Sequence, residues 1–470
     1  MEYGTWNIIF ILQILKLSQT HITYYSTNLK APEVSFREAL LKGLPPDGGL
    51  YMPSYIPKIT GEELTGFVSL EYYELAFNVL RHLLFNEISS EDLKDICRDA
   101  YNFDVPVEKV YDRKYVLRLD QGPTASFKDF AARLMARLMY YFISRDNLRF
   151  TILTATSGDT GSAVASAFHG LRNINVIILF PAREVSDTQR KQMTTLHDNV
   201  NIISIDGKFD DCQELVKRAF LDPELSDIRL SSANSINIGR LLPQSVYYFY
   251  AWSKISVNTD DNIIFSVPSG NFGNLMGGII AREMGLPVRK FIVATNSNNE
   301  VPEFLRTGNY KTISPSINCI SSAMNVGHPS NLARIVAFYG GLMNESGSLL
   351  KTPDMERMRN DFFGISVSDE ETRSSIAGCY KKYRMILEPH GAVAWKGMEC
   401  YHEFSDDSGN QLFVALETAH PAKFRKEVES LPGLSLPSPD SLANIDSKIE
   451  KFTELENDYE KLRSFIREQG

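Results

Sequence analysis

Phe150-Thr-Ile-Leu-Thr-Ala-Thr-Ser-Gly-Asp-Thr-Gly161 reads in one pass as a strand, a tight polar loop and a helix start. Phe150–Ala155 is uncharged and rich in apolar and β-branched residues, the pattern of a strand covered on both faces. Thr156–Gly161 supplies the turn, and Ser162 to Leu171 is an Ala-rich helical run. The same unit recurs downstream. Asn175–Phe180 and Val200–Ile205 read as buried strands, followed by helices over Val185–Leu196 and Asp210–Phe220. It resumes with a strand at Asn262–Val267, a helix from Asn274 through Met284, and strands at Arg289–Thr295 and Gln411–Leu416. Strands alternating with helices predict βαβ units and mostly parallel sheets, an α/β fold.

Upstream, Tyr111–Leu119 reads as a strand leading into Gln121-Gly-Pro-Thr-Ala-Ser-Phe-Lys-Asp-Phe130. Leu70, Tyr73, Leu75, Leu80, Leu84, Leu93 and Ile96 keep helical spacing, so residues 24–105 are expected to form a small N-terminal helical domain. Residues 106–430 form the main region, with a smaller lobe over roughly 145–255, and 436–470 is expected to be one charged C-terminal helix bearing Ile445, Ile449, Phe452, Leu455, Leu462 and Ile466. Residues 1–22 read as an extension, non-native or disordered. Its apolar run Trp6–Leu17 is broken by Gln13 and Lys16 and is too short to span a bilayer.

The chain has 470 residues, enough for two or three domains with a large core. A net charge of -9 disfavours nucleic acid or an anionic membrane as partner. The five cysteines are scattered and lack a CxxC pair, which fits free thiols in a reducing cytoplasm better than a disulfide framework. No paired-histidine spacing supports a metal site.

Four stretches carry chemistry. Lys128 falls in the first turn of an amphipathic helix whose N-cap is Ser126 or Thr124. The helix dipole and the flanking rings of Phe127 and Phe130 both lower a lysine pKa, and a partly neutral lysine can form a Schiff base with an aldehyde cofactor. Ser269-Gly270-Asn271-Phe272-Gly273-Asn274 opens a helix with two glycines, either a structural turn or a phosphate cradle; it is neither a dinucleotide fingerprint nor a Walker loop. Thr156, Ser157, Gly158, Asp159 and Thr160 form a capped turn or a carboxylate site, with Asp159 a candidate N-cap. Asn234, Ser235 and Arg240 offer a second anion set, or an ordinary ion pair. Thr418, at the end of a buried strand, is a plain strand-end threonine or a neutral partner for a cofactor ring nitrogen.

The motifs Ser126-Phe-Lys-Asp-Phe130, Ala155-Thr-Ser-Gly-Asp-Thr-Gly161, Pro268-Ser-Gly-Asn-Phe-Gly-Asn274 and Glu417-Thr-Ala-His-Pro-Ala-Lys-Phe424, in this order, resemble the threonine synthase family. So do Tyr24-Tyr-Ser-Thr-Asn28 and Leu44-Pro-Pro-Asp-Gly-Gly-Leu-Tyr51. The resemblance runs from about Tyr24 to Phe424. It implies the tryptophan-synthase-β-like fold (fold type II pyridoxal-phosphate enzymes), with two open twisted lobes. It implies Lys128 as the Schiff-base lysine, Phe127 and Ser269–Asn274 about pyridoxal 5'-phosphate, Thr418 at the ring nitrogen, Thr156–Thr160 at the substrate carboxylate, and Asn234, Ser235 and Arg240 at a substrate phosphate. The implied reaction takes O-phospho-L-homoserine and water to L-threonine and phosphate in a monomer or homodimer. A serine/threonine dehydratase or phospholyase shares the lysine and the phosphate loop, and a non-catalytic homologue has no need for the lysine.

Overall fold

The computed structural model describes residues 21–258, 261–405, 411–430, 434 and 436–469. The extension expected over 1–22 falls almost wholly outside them; Ile22, at its end, is buried in the core.

The N-terminal domain pairs β1 (Tyr24–Ser26) antiparallel with β2 (Tyr51–Pro53), with α1 (Phe36–Lys42) between them. α2 (Gly61–Gly66), α3 (Tyr72–Leu84) and α4 (Ser90–Ala100) follow. α2 starts in a capping box of Thr60 and Glu63, and Ser89 caps α4 through the Asp92 N–H. The buried stripe of α3 (Leu75, Val79, Leu80, Leu83) joins the main core, as its spacing predicts.

The expected strand over Tyr111–Leu119 is a hairpin, β3 (Val107–Tyr111) and β4 (Lys114–Arg118), because Asp112 takes a positive φ of 46° and turns the chain. α5 (Lys128–Arg145) then leads into β5 (Phe150–Ala155), α6 (Asp159–Phe168), β6 (Ile174–Pro181), α7 (Asp187–Thr194), β7 (Val200–Asp206), α8 (Phe209–Leu221) and the short β8 (Leu230–Ser231). After α9 (Ile238–Leu241) and α10 (Val246–Ile255) come β9 (Ile263–Pro268), α11 (Gly273–Glu283), β10 (Val288–Thr295) and α12 (Glu300–Thr307). The chain continues through α13 (Leu332–Phe338), the hairpin β11 (Leu342–Met343) and β12 (Leu349–Lys351), and α14 (Met355–Asp361). β13 (Phe362–Ser366), α15 (Asp369–Tyr383), α16 (Pro389–Phe404), β14 (Leu412–Glu417) and α17 (Arg425–Val428) complete the large lobe.

Two open sheets result. The larger has the order β13-β10-β9-β14-β4-β3 and is parallel except at the β3–β4 edge; the smaller, which takes in β15 (Thr453–Glu456) from the tail, has the order β15-β7-β6-β5-β8 and is parallel throughout. β5, β9 and β14 are buried along their whole length, as strands covered by helices on both faces must be.

The tail departs from expectation. In place of one helix, short turns at Asp440–Leu442 and Ile445–Ser447 lead to β15 (Thr453–Glu456) and α18 (Tyr459–Gln469). β15 adds to the free edge of β7, Thr453 opposite Ile203, and Leu462 and Ile466 of α18 pack over Ile177, Ile203 and Leu215. The helical period breaks at Asn444, which takes a positive φ of 59°, and Ile449 is 81% exposed rather than on an inner stripe. An unsatisfied sheet edge therefore outweighs local helical pattern here.

Candidate active site

The turn before Lys128 is held against the end of β14. The Phe127 N–H donates to the Thr418 carbonyl at 2.9 Å, and the His420 N–H to the Ala125 carbonyl at 3.0 Å. This places the Lys128 turn beside Thr418, although 290 residues separate Lys128 from Thr418 in the chain. Ala125 takes a positive φ of 54°, a strained value for a residue with a Cβ, which is tolerated where surrounding contacts enforce it.

Neither Ser126 nor Thr124 caps α5, contrary to the sequence reading. The helix starts at Lys128 with Phe127 at the cap position and no side-chain cap bond. The bonding runs the other way: the Thr124 N–H and hydroxyl both donate to the Asp129 carboxylate, each at 2.8 Å. Phe127 does lie against the lysine, its ring centroid 4.7 Å from Lys128 Nζ. Phe130 packs instead among Tyr72, Phe103 and Tyr247.

Lys128 meets Asp159 across the lobes, Nζ to Oδ2 at 3.8 Å. Burial pushes its amine pKa down; Asp159 opposes that, while Lys423 and Arg240 reinforce it. Asp159 is not an N-cap: Gly158 occupies that position. Its carboxylate receives Lys423 Nζ at 2.6 Å and Gln189 Nε2 at 2.9 Å. Burial works against its charge, but Lys423 and Lys128 overcome burial and hold it well below the usual carboxylate range. The charge of Asp159 is thus compensated within the protein. Gln189 also closes the capping box of α7 with Ser186, so one side chain fixes a helix start and orients Asp159. Gly158 has φ 136°, and a Cβ there would meet the Gln189 amide at 2.4 Å, so glycine is required twice over.

Thr156 is a brace: its hydroxyl accepts the Gly158 and Gly161 N–H groups at 2.9 and 2.8 Å, and the residue is buried. Ser157 is exposed at the loop tip and Thr160 is half-buried beside it.

The loop Ser269–Asn274 lies beyond β9 at the start of α11, where helix N–H groups lack helical partners. Phe272 takes a left-handed φ of 63° there. Two of the six side chains brace the loop: Asn274 Nδ2 donates to the Pro268 carbonyl at 2.8 Å, and the Ser269 hydroxyl to the Val267 carbonyl at 3.1 Å. Gly270 passes so close to Ala323 and Met324 that a Cβ would lie 2.9 Å from their backbone, and Asn271 is exposed. Beyond Gly273 stand Gln244, Asn331 and Ser235, with nothing of them nearer than 3.3 Å to an added Cβ.

Arg240 is buried, donates to the Ala233 carbonyl at 3.0 Å, and has no carboxylate within ion-pair distance among the described residues. Burial pushes its pKa down to about 10. Its Nε and Asn331 Nδ2 are buried donors, and Asn234 Oδ1 a buried acceptor, without a partner among the described residues. Unmet buried donors and an unpaired buried cation are what a site for an anion requires.

Behind Thr418, Glu388 caps α16 through the His390 and Gly391 N–H groups, and the Thr418 hydroxyl is 3.4 Å from its Oε1. Glu417 lies beside it, pushed well above the carboxylate range by burial and by Glu388, against the pull of Arg118 at 3.3 Å. The sequence reading did not single out Lys423, Gln189, Glu388, Asn331 or Arg334. Lys423 stood within a quoted motif; the others meet the site only across long loops, and local spacing carries no sign of them. Among the described residues no group of three His, Cys, Asp or Glu is placed to hold a metal ion, and no helix is long and apolar enough to cross a membrane.

Two largely parallel α/β lobes, a lysine with a lowered pKa at their junction and a glycine-rich helix start beyond β9 define a pyridoxal-phosphate-dependent enzyme of fold type II. Residues 108–415 match the family described as pyridoxal-phosphate dependent enzyme, 23–101 threonine synthase N terminus, and 392–466 threonine synthase, C-terminal. The threonine synthase of Haemophilus influenzae is 38% identical over 93% of this chain and 98% of its own. That of Escherichia coli is 38% identical over 87% and 91%. The structure of the pyridoxal-phosphate-bound threonine synthase of Brucella melitensis superposes with a TM-score of 0.88 at 36% identity, covering 95% of this chain and 99% of that one. The chain belongs to the threonine synthase family. A tomato threonine deaminase, 18% identical with a TM-score of 0.52, shares the fold alone. Pyridoxal phosphate is the cofactor, and the residues present fit it: an amine of lowered pKa, a glycine cradle at a helix start and unmet buried donors beside that cradle.

Proposed function

We propose that this chain converts O-phospho-L-homoserine and water into L-threonine and inorganic phosphate, in a reducing cytoplasm. The carrying observation is Arg240, a buried cation with no carboxylate partner among the described residues, close enough to Lys128 to lower its pKa. A dehydratase acting on an unphosphorylated amino acid needs one anion cradle for the cofactor phosphate. This site offers two cationic regions about one amine, as a phosphorylated substrate demands. The five free cysteines, three of them buried, support the compartment.

Lys128 would hold the cofactor through its amine, the Ser269–Gly273 loop its phosphate, and the Thr418 hydroxyl its ring nitrogen. When bound, pyridoxal phosphate spreads over its ring the negative charge left as the substrate α-proton departs. The rest falls to the chain. Lys128 Nζ, once free, takes the proton from Cα and serves at Cβ; it must be neutral to do so, which burial, Lys423 and Arg240 favour. Asp159, 3.8 Å away, then stabilises the ammonium that forms. Arg240 with Asn234 and Ser235 holds the departing phosphate, and Ser157 and Thr160 receive the carboxylate. Thr418, turned toward Glu388, presents a neutral hydroxyl to the ring.

The test is a joint assay of phosphate and threonine on the purified protein with O-phospho-L-homoserine. Equal amounts of both support the reading; ammonia and a keto acid in place of threonine refute it. Lys128→Ala should abolish both products and the yellow absorbance without lowering the melting temperature.

A further inference from the structure

Resting on that reading of the site, we propose that Asn331 is an anion ligand: its side-chain amide donates to a phosphate monoester seated at the start of α11, and Arg334 aims it there. Arg334 is fully buried and has no carboxylate within ion-pair distance among the described residues. Its guanidinium is spent on the Tyr51 carbonyl (3.1 Å), the Ser235 carbonyl (3.1 Å), the Ile236 carbonyl (2.6 Å) and Asn331 Oδ1 (2.5 Å). A guanidinium only donates, so the amide oxygen of Asn331 must face it. The orientation of the amide is thereby fixed, and Nδ2 points the other way.

That Nδ2 is buried, in a residue with no exposure, and finds no acceptor among the described residues. A buried donor left unmade is destabilising, so an acceptor belongs there. Its position says which kind. A Cβ built on Gly273, the first residue of α11, would lie 3.6 Å from Asn331 Nδ2 and 3.3 Å from Gln244 Nε2. Gln244 spends one N–H on the Arg240 carbonyl at 2.7 Å and keeps a second. The positive helix end, two amide donors and the uncompensated charge of Arg334 behind one of them converge on one spot. Such a spot suits an oxyanion with several acceptors, and not a neutral group. Two phosphates enter this site, the cofactor's and the substrate's; the closeness to Gly273 favours the cofactor's.

Asn331→Asp separates the role from packing. It keeps the size and an oxygen for Arg334, and turns the donor into a second anionic oxygen. The apoprotein is titrated with pyridoxal phosphate and with pyridoxal, which lacks the phosphate. The expected result is a pyridoxal phosphate affinity reduced about tenfold or more with pyridoxal binding within about twofold of wild type, as loss of a charge-assisted bond predicts. The melting temperature should not fall, since the introduced carboxylate would pair with Arg334. Asn331→Ala should move the same ratio in the same direction. An unchanged cofactor affinity with a KM for O-phospho-L-homoserine raised about tenfold would also uphold the anion role and assign it to the substrate's phosphate. Neither changing, or both aldehydes weakening equally with a lowered melting temperature, overturns the proposal. A wild-type protein that binds neither aldehyde overturns the functional reading itself, and this role with it.

Discussion

Replacing Lys423 by methionine should make Lys128 harder to deprotonate. Both amines contact one carboxylate, Lys423 at 2.6 Å from Asp159 Oδ1 and Lys128 at 3.8 Å from Oδ2. They therefore stand roughly 5–8 Å apart, and at an effective dielectric near 20 their repulsion is roughly 2–3 kcal/mol. Lys128 is 16% exposed at its side chain, which screens part of this, and removing the repulsion raises its pKa. Asp159, freed from its nearer partner, pulls the same way. The assay is the rate at which apoprotein reacts with pyridoxal phosphate, followed by absorbance across pH. The neutral amine is the reactive form, so the midpoint of the profile moves to higher pH in Lys423→Met. It moves to lower pH in Asp159→Asn, which removes the attraction and leaves the repulsion. Lys423→Met strands a buried carboxylate, so the double variant with Asp159→Asn serves as the folding control. Midpoints unchanged in both single variants, or displaced in the same direction, would refute the electrostatic account of Lys128.

Two further outcomes follow from other buried groups. Burial pushes the Glu300 carboxyl up to about 7, so the folded state holds its proton more tightly than the unfolded state, and stability is lost as pH rises from the free value toward 7. Glu300→Gln should therefore gain over wild type between pH 5 and pH 8 by up to about 3 kcal/mol, read from thermal melting at the two pH values; a constant difference would be contrary. Gly391→Ala should lower the melting temperature and weaken cofactor binding. Its Cβ would fall 1.4 Å from Glu417 Oε2, and Glu417 cannot withdraw without releasing Arg118 and the Glu388 N–H. The expected cost is about 1–3 kcal/mol, and wild-type melting would argue that Glu417 moves freely.

The elements that were legible in the sequence are those whose signal is local. Phe150–Ala155 and Leu412–Glu417 announce buried parallel strands because both faces are covered and polarity cannot alternate. Lys128 and the Ser269–Gly273 loop were legible because a helix start and a glycine turn are written in a few adjacent residues. Thr156 and Asn274 also brace their own loops, which the sequence did not show, since a hydroxyl or amide that braces its own loop has the same local signature as one that binds. The tail helix failed because an edge strand offered Thr453–Glu456 a ladder of backbone bonds that no local period records.

Sequence alone thus determined the strand–helix alternation, the lysine at the start of α5 and the glycine-rich start of α11, all fixed by short-range sterics, dipoles and burial pattern. Tertiary structure alone decided the charge state of the site. Asp159 is joined to Lys423 across 264 residues, and Arg334 reaches Ser235 across 99. Electrostatic energies depend on distances through space within a low-dielectric interior, and side-chain spacing along the chain does not encode which charges will meet there.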